Sequence, residues 1–91
     1  MVLLDLLGRR WALRVLWELR DARATFRALQ ERCDDVSPTV LTKRLKELRE
    51  AGLVEHLDGE GYGLTEQGRS LGTQLVTLSV WAEDWAKATD A

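Results

Sequence analysis

The sequence predicts a mainly α-helical fold with one small β-hairpin, and three local signals carry that reading. Ser37-Pro38 opens a helix that an apolar stripe sustains and Gly52 stops. An Asp58-Gly-Glu-Gly61 turn divides two short β-prone runs. A stripe of leucine and tryptophan then continues from Thr65 nearly to the end of the chain. Helix, short helix, capped helix, hairpin and long helix is the order of a winged helix-turn-helix followed by a C-terminal helix. It is laid out as a single domain over residues 1–91.

Each element has its own warrant. Leu3–Leu7 reads as a short helix that Gly8 breaks. From Arg9 to about Arg20, Trp11, Ala12, Val15, Leu16 and Leu19 fall on one stripe at helical spacing, while Leu13 and Trp17 form a second. A helix apolar on two sides needs two packing partners. Asp21–Ala24 reads as a connection. Thr25 is placed to cap a short helix from Phe26 to about Arg32, which Asp34-Asp35 ends by putting negative charge at its negative pole. Ser37 is the N-cap of the next helix, with Pro38 at the first helical position, where its missing N–H costs nothing. Leu41, Leu45 and Leu48 form its buried seam, and Gly52 supplies the left-handed stop. This helix is expected over about 38–51. The hairpin, a wing, covers about 53–64: strand Leu53–Leu57, the turn, and a return to Leu64. Thr65 caps a last helix over about 66–87, whose Leu71, Leu75, Leu78, Ala82 and Trp85 alternate threes and fours as in a helix–helix seam. Val76 and Val80 lie on another side.

Composition narrows the function. Ninety-one residues with four tryptophans make a small core that cannot hold them all, so an interface is expected to cover some. The single cysteine, Cys33, excludes an internal disulfide framework and a thiolate zinc cluster, and a reducing cytoplasm is the expected location. The apolar start Met1–Leu7, interrupted by Asp5, is too short for a signal peptide or a membrane span. His56 has no second ligand at metal spacing, and adjacent Asp34 and Asp35 suit a turn better than a paired-carboxylate site. Neither a phosphate loop nor a nucleophile–base pair is present, so no catalytic residue, metal or cofactor is assigned. Net charge is −2, yet it divides unevenly. Residues 1–52 carry eleven Lys/Arg and eight Asp/Glu, a net of +3; residues 53–91 carry two and seven, a net of −5. The basic half contains the capped helix.

That helix has the face of a nucleic-acid reader. With its leucines inward, the opposite side shows Thr39, Lys43, Lys46 and Glu50, flanked by Thr42 and Arg49. Hydroxyls near a helix start reach base edges or a thymine methyl, lysines reach guanine or phosphate, and Ser37 with the first-turn amides offers a phosphate site.

Taken in order, several runs resemble one family. They are Leu6-Leu-Gly-Arg-Arg-Trp-Ala-Leu-Arg-Val-Leu16, Phe26-Arg-Ala-Leu29, Ser37-Pro-Thr-Val-Leu-Thr-Lys-Arg-Leu-Lys-Glu-Leu48, Gly52-Leu-Val-Glu55 and Tyr62-Gly-Leu-Thr-Glu-Gln-Gly68. Together they resemble the HxlR-type bacterial transcriptional regulators over nearly the whole chain. The resemblance implies a homodimer, joined through the first and last helices, on a palindromic operator in double-stranded DNA; repression is the expected outcome, with activation left open. It places DNA contacts on Ser37, Thr39, Thr42, Lys43 and Lys46, with Arg10 beside Trp11 and Arg27 on the bracing helix. On those helices the expected dimer residues are Leu4, Leu7, Trp11, Leu78, Trp81 and Trp85, with the lining of a ligand pocket as the alternative role for Trp81 and Trp85. Two features depart from the family pattern. The wing tip is short and holds Asp58 and Glu60 without Lys or Arg, which argues against its entering the minor groove. Several redox-sensing relatives carry a cysteine before the first helix, whereas Cys33 lies in the bracing region and reads as a buried, inert thiol. A small-molecule effector stays open. The alternative function is a winged-helix protein-interaction module that does not bind DNA, since fold alone does not fix function.

Overall fold

Three side-chain caps set the main helix starts. Thr25 Oγ1 accepts from the Ala28 N–H at 3.1 Å, Ser37 Oγ from Val40 at 3.4 Å and Thr65 Oγ1 from Gly68 at 3.0 Å. The computed structural model describes residues 2–90; Met1 and Ala91, the ends of the expected domain, lie outside them. The elements are α1 (Val2–Leu7), α2 (Ala12–Glu18), α3 (Phe26–Arg32), α4 (Pro38–Glu50), β1 (Val54–Leu57), β2 (Gly61–Leu64) and α5 (Glu66–Thr89). The strands pair antiparallel, Val54 opposite Leu64 and Leu57 opposite Gly61. This is a winged helix-turn-helix with a long C-terminal helix.

The end of α4 is as well defined as its start. Gly52 sits at φ +75°, its N–H bonds the Arg49 carbonyl at 3.0 Å, and the Leu53 N–H bonds Leu48 at 3.0 Å. These two bonds satisfy carbonyls that the helix would otherwise orphan, and Leu53 and Leu48 are both buried beside them. The Thr65 hydroxyl then donates to the Gly52 carbonyl at 2.6 Å. One side chain therefore closes α4 and opens α5.

The structure departs from the sequence expectations in two places. The helix expected over Arg9–Arg20 is shorter at both ends. Residues 8–11 form a turn, Trp11 takes φ +76° and the regular helix begins at Ala12. At its other end Arg20 donates to the Trp17 carbonyl at 2.9 Å, and its guanidinium lies 3.7 Å from the Trp17 ring centroid. The second departure is Ala24, expected in a plain connection. It exchanges both backbone bonds with Tyr62, at 2.9 and 2.8 Å, and adds a third line of pairing alongside β2. The Asp34-Asp35 turn falls where the sequence places it, with both residues left-handed, at φ +56° and +57°. Their N–H groups bond Glu31 and Gln30 at 3.2 and 2.9 Å. It is the same carbonyl-closing motif as at Gly52, made by residues whose short polar side chains tolerate this region.

The core lies between α2, α3, α4 and the wing root. Leu16, Leu29, Leu41, Leu45 and Leu48 are its largest fully buried side chains, and Leu71 and Leu75 of α5 pack against it. The start of α5 is held close by absence of a side chain. A Cβ on Gly68 would collide with the Leu53 carbonyl oxygen, whereas one on Gly72 would meet only Leu64 Cδ1, at an ordinary 3.6 Å. Gly68→Ala is therefore expected to cost about 2 kcal/mol, or roughly 10 °C of melting temperature. Gly72→Ala should be neutral or slightly stabilising through helix propensity. Thermal denaturation of the two variants side by side checks the contrast. Equal melting temperatures would mean that the α5 start is not pinned against Leu53.

Candidate nucleic-acid interface

Burial of Leu41, Leu45 and Leu48 fixes what α4 shows to solvent. Thr39, Thr42, Lys43, Lys46, Arg49 and Glu50 are all exposed. None of Lys43, Lys46 and Arg49 enters an ion pair among the described residues. Their charge is uncommitted, which is what an approaching polyanion needs. The first turn offers less than the sequence suggests. Pro38 has no N–H and Val40 gives its own to Ser37, leaving the Thr39 amide as the open donor there.

Each end of α4 borders a concavity. At its start, a notch of about 330 Å³ is lined by Arg10, Trp11, Val36, Ser37, Val40 and Arg44. The Arg10 guanidinium lies 6.0 Å from the Trp11 ring centroid and has no acidic partner among the described residues. At its end, an open groove of about 500 Å³ runs between Lys46, Arg49 and Glu50 on α4 and Val54, Glu55 and His56 on β1.

Of the residues expected at DNA, Ser37 and Arg10 share the notch, and Thr39, Thr42, Lys43 and Lys46 share the exposed face. Arg27 joins neither concavity; it is exposed on α3 and pairs with Glu31 at 3.5 Å. Among the residues expected at a dimer seam, Leu7 and Trp11 are half-buried against the protomer's own core. Leu4 (61% exposed), Leu78 (54%), Trp81 (60%) and Trp85 (55%) are left open to solvent. Trp81 and Trp85 stack on each other, with centroids 6.4 Å apart and planes 12° from parallel.

The wing is braced from inside and acidic outside. Arg23 donates to Glu55 Oε2 at 2.9 Å and to the Gly61 carbonyl at 2.8 Å, so it ties the middle of β1 to the start of β2 beside the turn. Asp58 and Glu60 stay free of ion pairs among the described residues at the tip. His56 packs on Tyr62 across the hairpin, with ring centroids 4.6 Å apart. Cys33 is buried, and burial pushes its thiol pKa up, away from the thiolate form that reacts. No helix of the described residues is long and apolar enough to cross a membrane.

Sequence reading passed over Arg44. Its side chain flanks the leucine seam at one turn from Leu41 and Leu48, and only 14% of it is exposed. An arginine at the edge of an apolar stripe was the available signal, since its stem can pack while its head finds an acceptor. Its acceptors, the Arg10 carbonyl and Glu47, could not be read from spacing alone.

Comparison with known proteins agrees with this architecture. The sequence profile of the HxlR-like helix-turn-helix family matches residues 6–90. The HTH-type transcriptional regulator YvaP of Bacillus subtilis is 31% identical over 87 residues, which is 89% of this chain and 81% of YvaP. The quinone-bound structure of YodB from B. subtilis superposes with a TM-score of 0.82 at 31% identity, covering 91% of this chain and 92% of that one. A possible HxlR family transcriptional factor from Thermoplasma volcanium gives 0.82 at 28% identity, covering 93% and 82%. YodB itself is named an HTH-type transcriptional regulator, and this non-enzymatic class is the one the relatives share. By sequence over nearly its full length and by fold, the chain is a transcriptional regulator of the HxlR-like helix-turn-helix family.

Proposed function

We propose that the chain binds double-stranded DNA sequence-specifically as a homodimer. In this reading residues 1–91 act as one cytoplasmic domain that occupies a palindromic operator and represses transcription. The observation that carries the proposal is the exposed face of α4. Free lysines at 43 and 46 and hydroxyls at 39 and 42 lie on a helix held rigid by its caps and its leucine seam. Such a helix enters the major groove with its first turns toward base edges, while the preceding helix crosses the backbone. Arg10 and Ser37, at the notch, are positioned for a phosphate beside the start of the recognition helix. Arg27, exposed on α3, is assigned a phosphate contact flanking them.

Homodimerisation is supported by the apolar surface that α5 leaves uncovered. Leu78, Trp81 and Trp85 on one helix, with Leu4 on α1, are too much exposed apolar area for a domain of this size to leave in water. Two copies packed along this seam would present two recognition helices with two-fold symmetry, which a palindrome matches. An effector would have to act without a reactive thiol, since the one cysteine is buried and its pKa is raised. In this respect the chain would differ from a thiol-based sensor.

The acidic wing favours a second reading, a protein-interaction module that does not bind DNA. A titration of labelled genomic fragments at about 50 mM salt separates the two, because phosphate contacts are strongest there and weaken steeply as salt rises. Salt-sensitive binding supports DNA recognition; absence of binding at low salt favours the interaction module.

A further inference from the structure

Arg44 and Glu47 form a connection that the DNA-contact reading does not use. Arg44 Nε donates to the Arg10 carbonyl at 2.7 Å, and its Nη1 donates to Glu47 Oε1 at 2.5 Å. The other Glu47 oxygen accepts from Arg9 Nη1. The Arg44 and Glu47 side chains are each only 14% exposed, so the pair lies between elements and is shielded from water. A planar guanidinium holds its acceptors at fixed angles, which a flexible ammonium cannot do.

The segment they grip needs holding. Residues 8–11 are a turn joining α1 to α2, and it contains Trp11 at φ +76°, a left-handed conformation that costs an L-residue on the order of 1–2 kcal/mol. The same turn carries Arg10, whose side chain borders the notch at the start of α4. On its far side lies α1, whose Leu4 belongs to the exposed apolar surface.

We propose that Arg44 and Glu47 are positioning residues that lock α4 to the Arg9-Arg10 turn, and through it to α1. They thereby fix the angle between the DNA-reading helix and the dimer end of the protomer. The proposal rests on the DNA-binding homodimer reading for its consequence, which is that this lock sets the half-site spacing the dimer accepts. Each added base pair rotates a half-site by about a tenth of a turn, so a rigid angle rejects altered spacings and a loose one tolerates them. The lock itself concerns a single chain and can be read without DNA.

Glu47→Gln is the informative variant. It keeps the shape, removes the charge that holds both arginines, and leaves Asp5 and Glu50, which line the same groove as Arg9, to compensate Arg9 and keep the protein folded. Arg44→Lys keeps the charge but cannot hold both acceptors, so it should behave alike. The first measurement is a spin-label distance between Val2→Cys and Thr42→Cys in a Cys33→Ala background, diluted with unlabelled chain. A narrow distribution is expected with the native pair and a broad or shifted one with Glu47→Gln. The second is competition binding on operators with the half-site spacing one base pair longer or shorter. Native protein should discriminate by about tenfold or more, and both variants by under about threefold.

A purely structural role would lower affinity equally at every spacing and leave the preference intact. Unchanged distance distributions overturn the lock. Broadened distances with an unchanged spacing preference overturn its role in spacing. Broadened distances in a protein that binds no DNA uphold the lock and defeat the DNA reading instead.

Discussion

Replacing Lys43 and Lys46 together by alanine is expected to weaken operator binding by about 10- to 100-fold at physiological salt. It should also flatten the log–log salt dependence by roughly 1.8, the counterions of two phosphate contacts. Both side chains are exposed and free of ion pairs among the described residues. Their loss takes nothing from the core, and alanine is the best helix former. The melting temperature should therefore stay put while affinity falls, which separates a contact effect from unfolding. Titrations at three or more salt concentrations, with thermal denaturation alongside, read both quantities. Unchanged affinity and slope would remove α4's outward face from the interface.

Truncating Trp81 and Trp85 to alanine is expected to convert the dimer to a monomer at micromolar concentration. Buried interfacial tryptophans are the residues whose truncation costs most, on the order of 2 kcal/mol or more each. Both rings stack in the open on α5 and neither joins the protomer core, so the fold itself should survive. Operator affinity should fall as well, since two recognition helices no longer share one effective concentration. Sedimentation velocity gives the mass directly. A dimer of undiminished stability would place the seam elsewhere.

The residues that could be read from sequence are those whose reasons are local. Ser37 with Pro38, Thr25 and Thr65 lie within three residues of the amides they cap, and Gly52 closes the helix that Leu41, Leu45 and Leu48 seat. Nothing distant is needed to foresee them. Trp11 is the contrary case: its stripe position suited a continuous helix from Arg9. The left-handed turn at Trp11 accompanies a hydrogen bond to Arg10 from Arg44, thirty-four residues away. Ala24 likewise pairs with Tyr62, far away along the chain. Tertiary partners of this kind have no period and no spacing, so pattern reading passes over them. The same contrast divides the candidate site. Lys43 and Lys46 are legible as the outward face of an amphipathic helix. Arg27 lies on another helix, so the period of α4 cannot relate it to them.

The acidic wing is where sequence and structure reinforce each other. Asp58 and Glu60 stand at the tip, and Arg23 is engaged by Glu55 and by the Gly61 carbonyl beside the turn. In the proposed DNA-binding reading, contact with a polyanion would therefore fall on α4 and the notch at its start. Under the same proposal, pairing of two protomers would supply the affinity that a basic wing would otherwise add.

Selection of bound sequences from a random pool of double-stranded DNA tests that claim most directly. The expected result is an enriched motif with two-fold symmetry, its half-sites about 10 base pairs apart centre to centre, lost with Lys43→Ala/Lys46→Ala. No enriched motif, or one without two-fold symmetry, would contradict recognition by a pair of α4 helices.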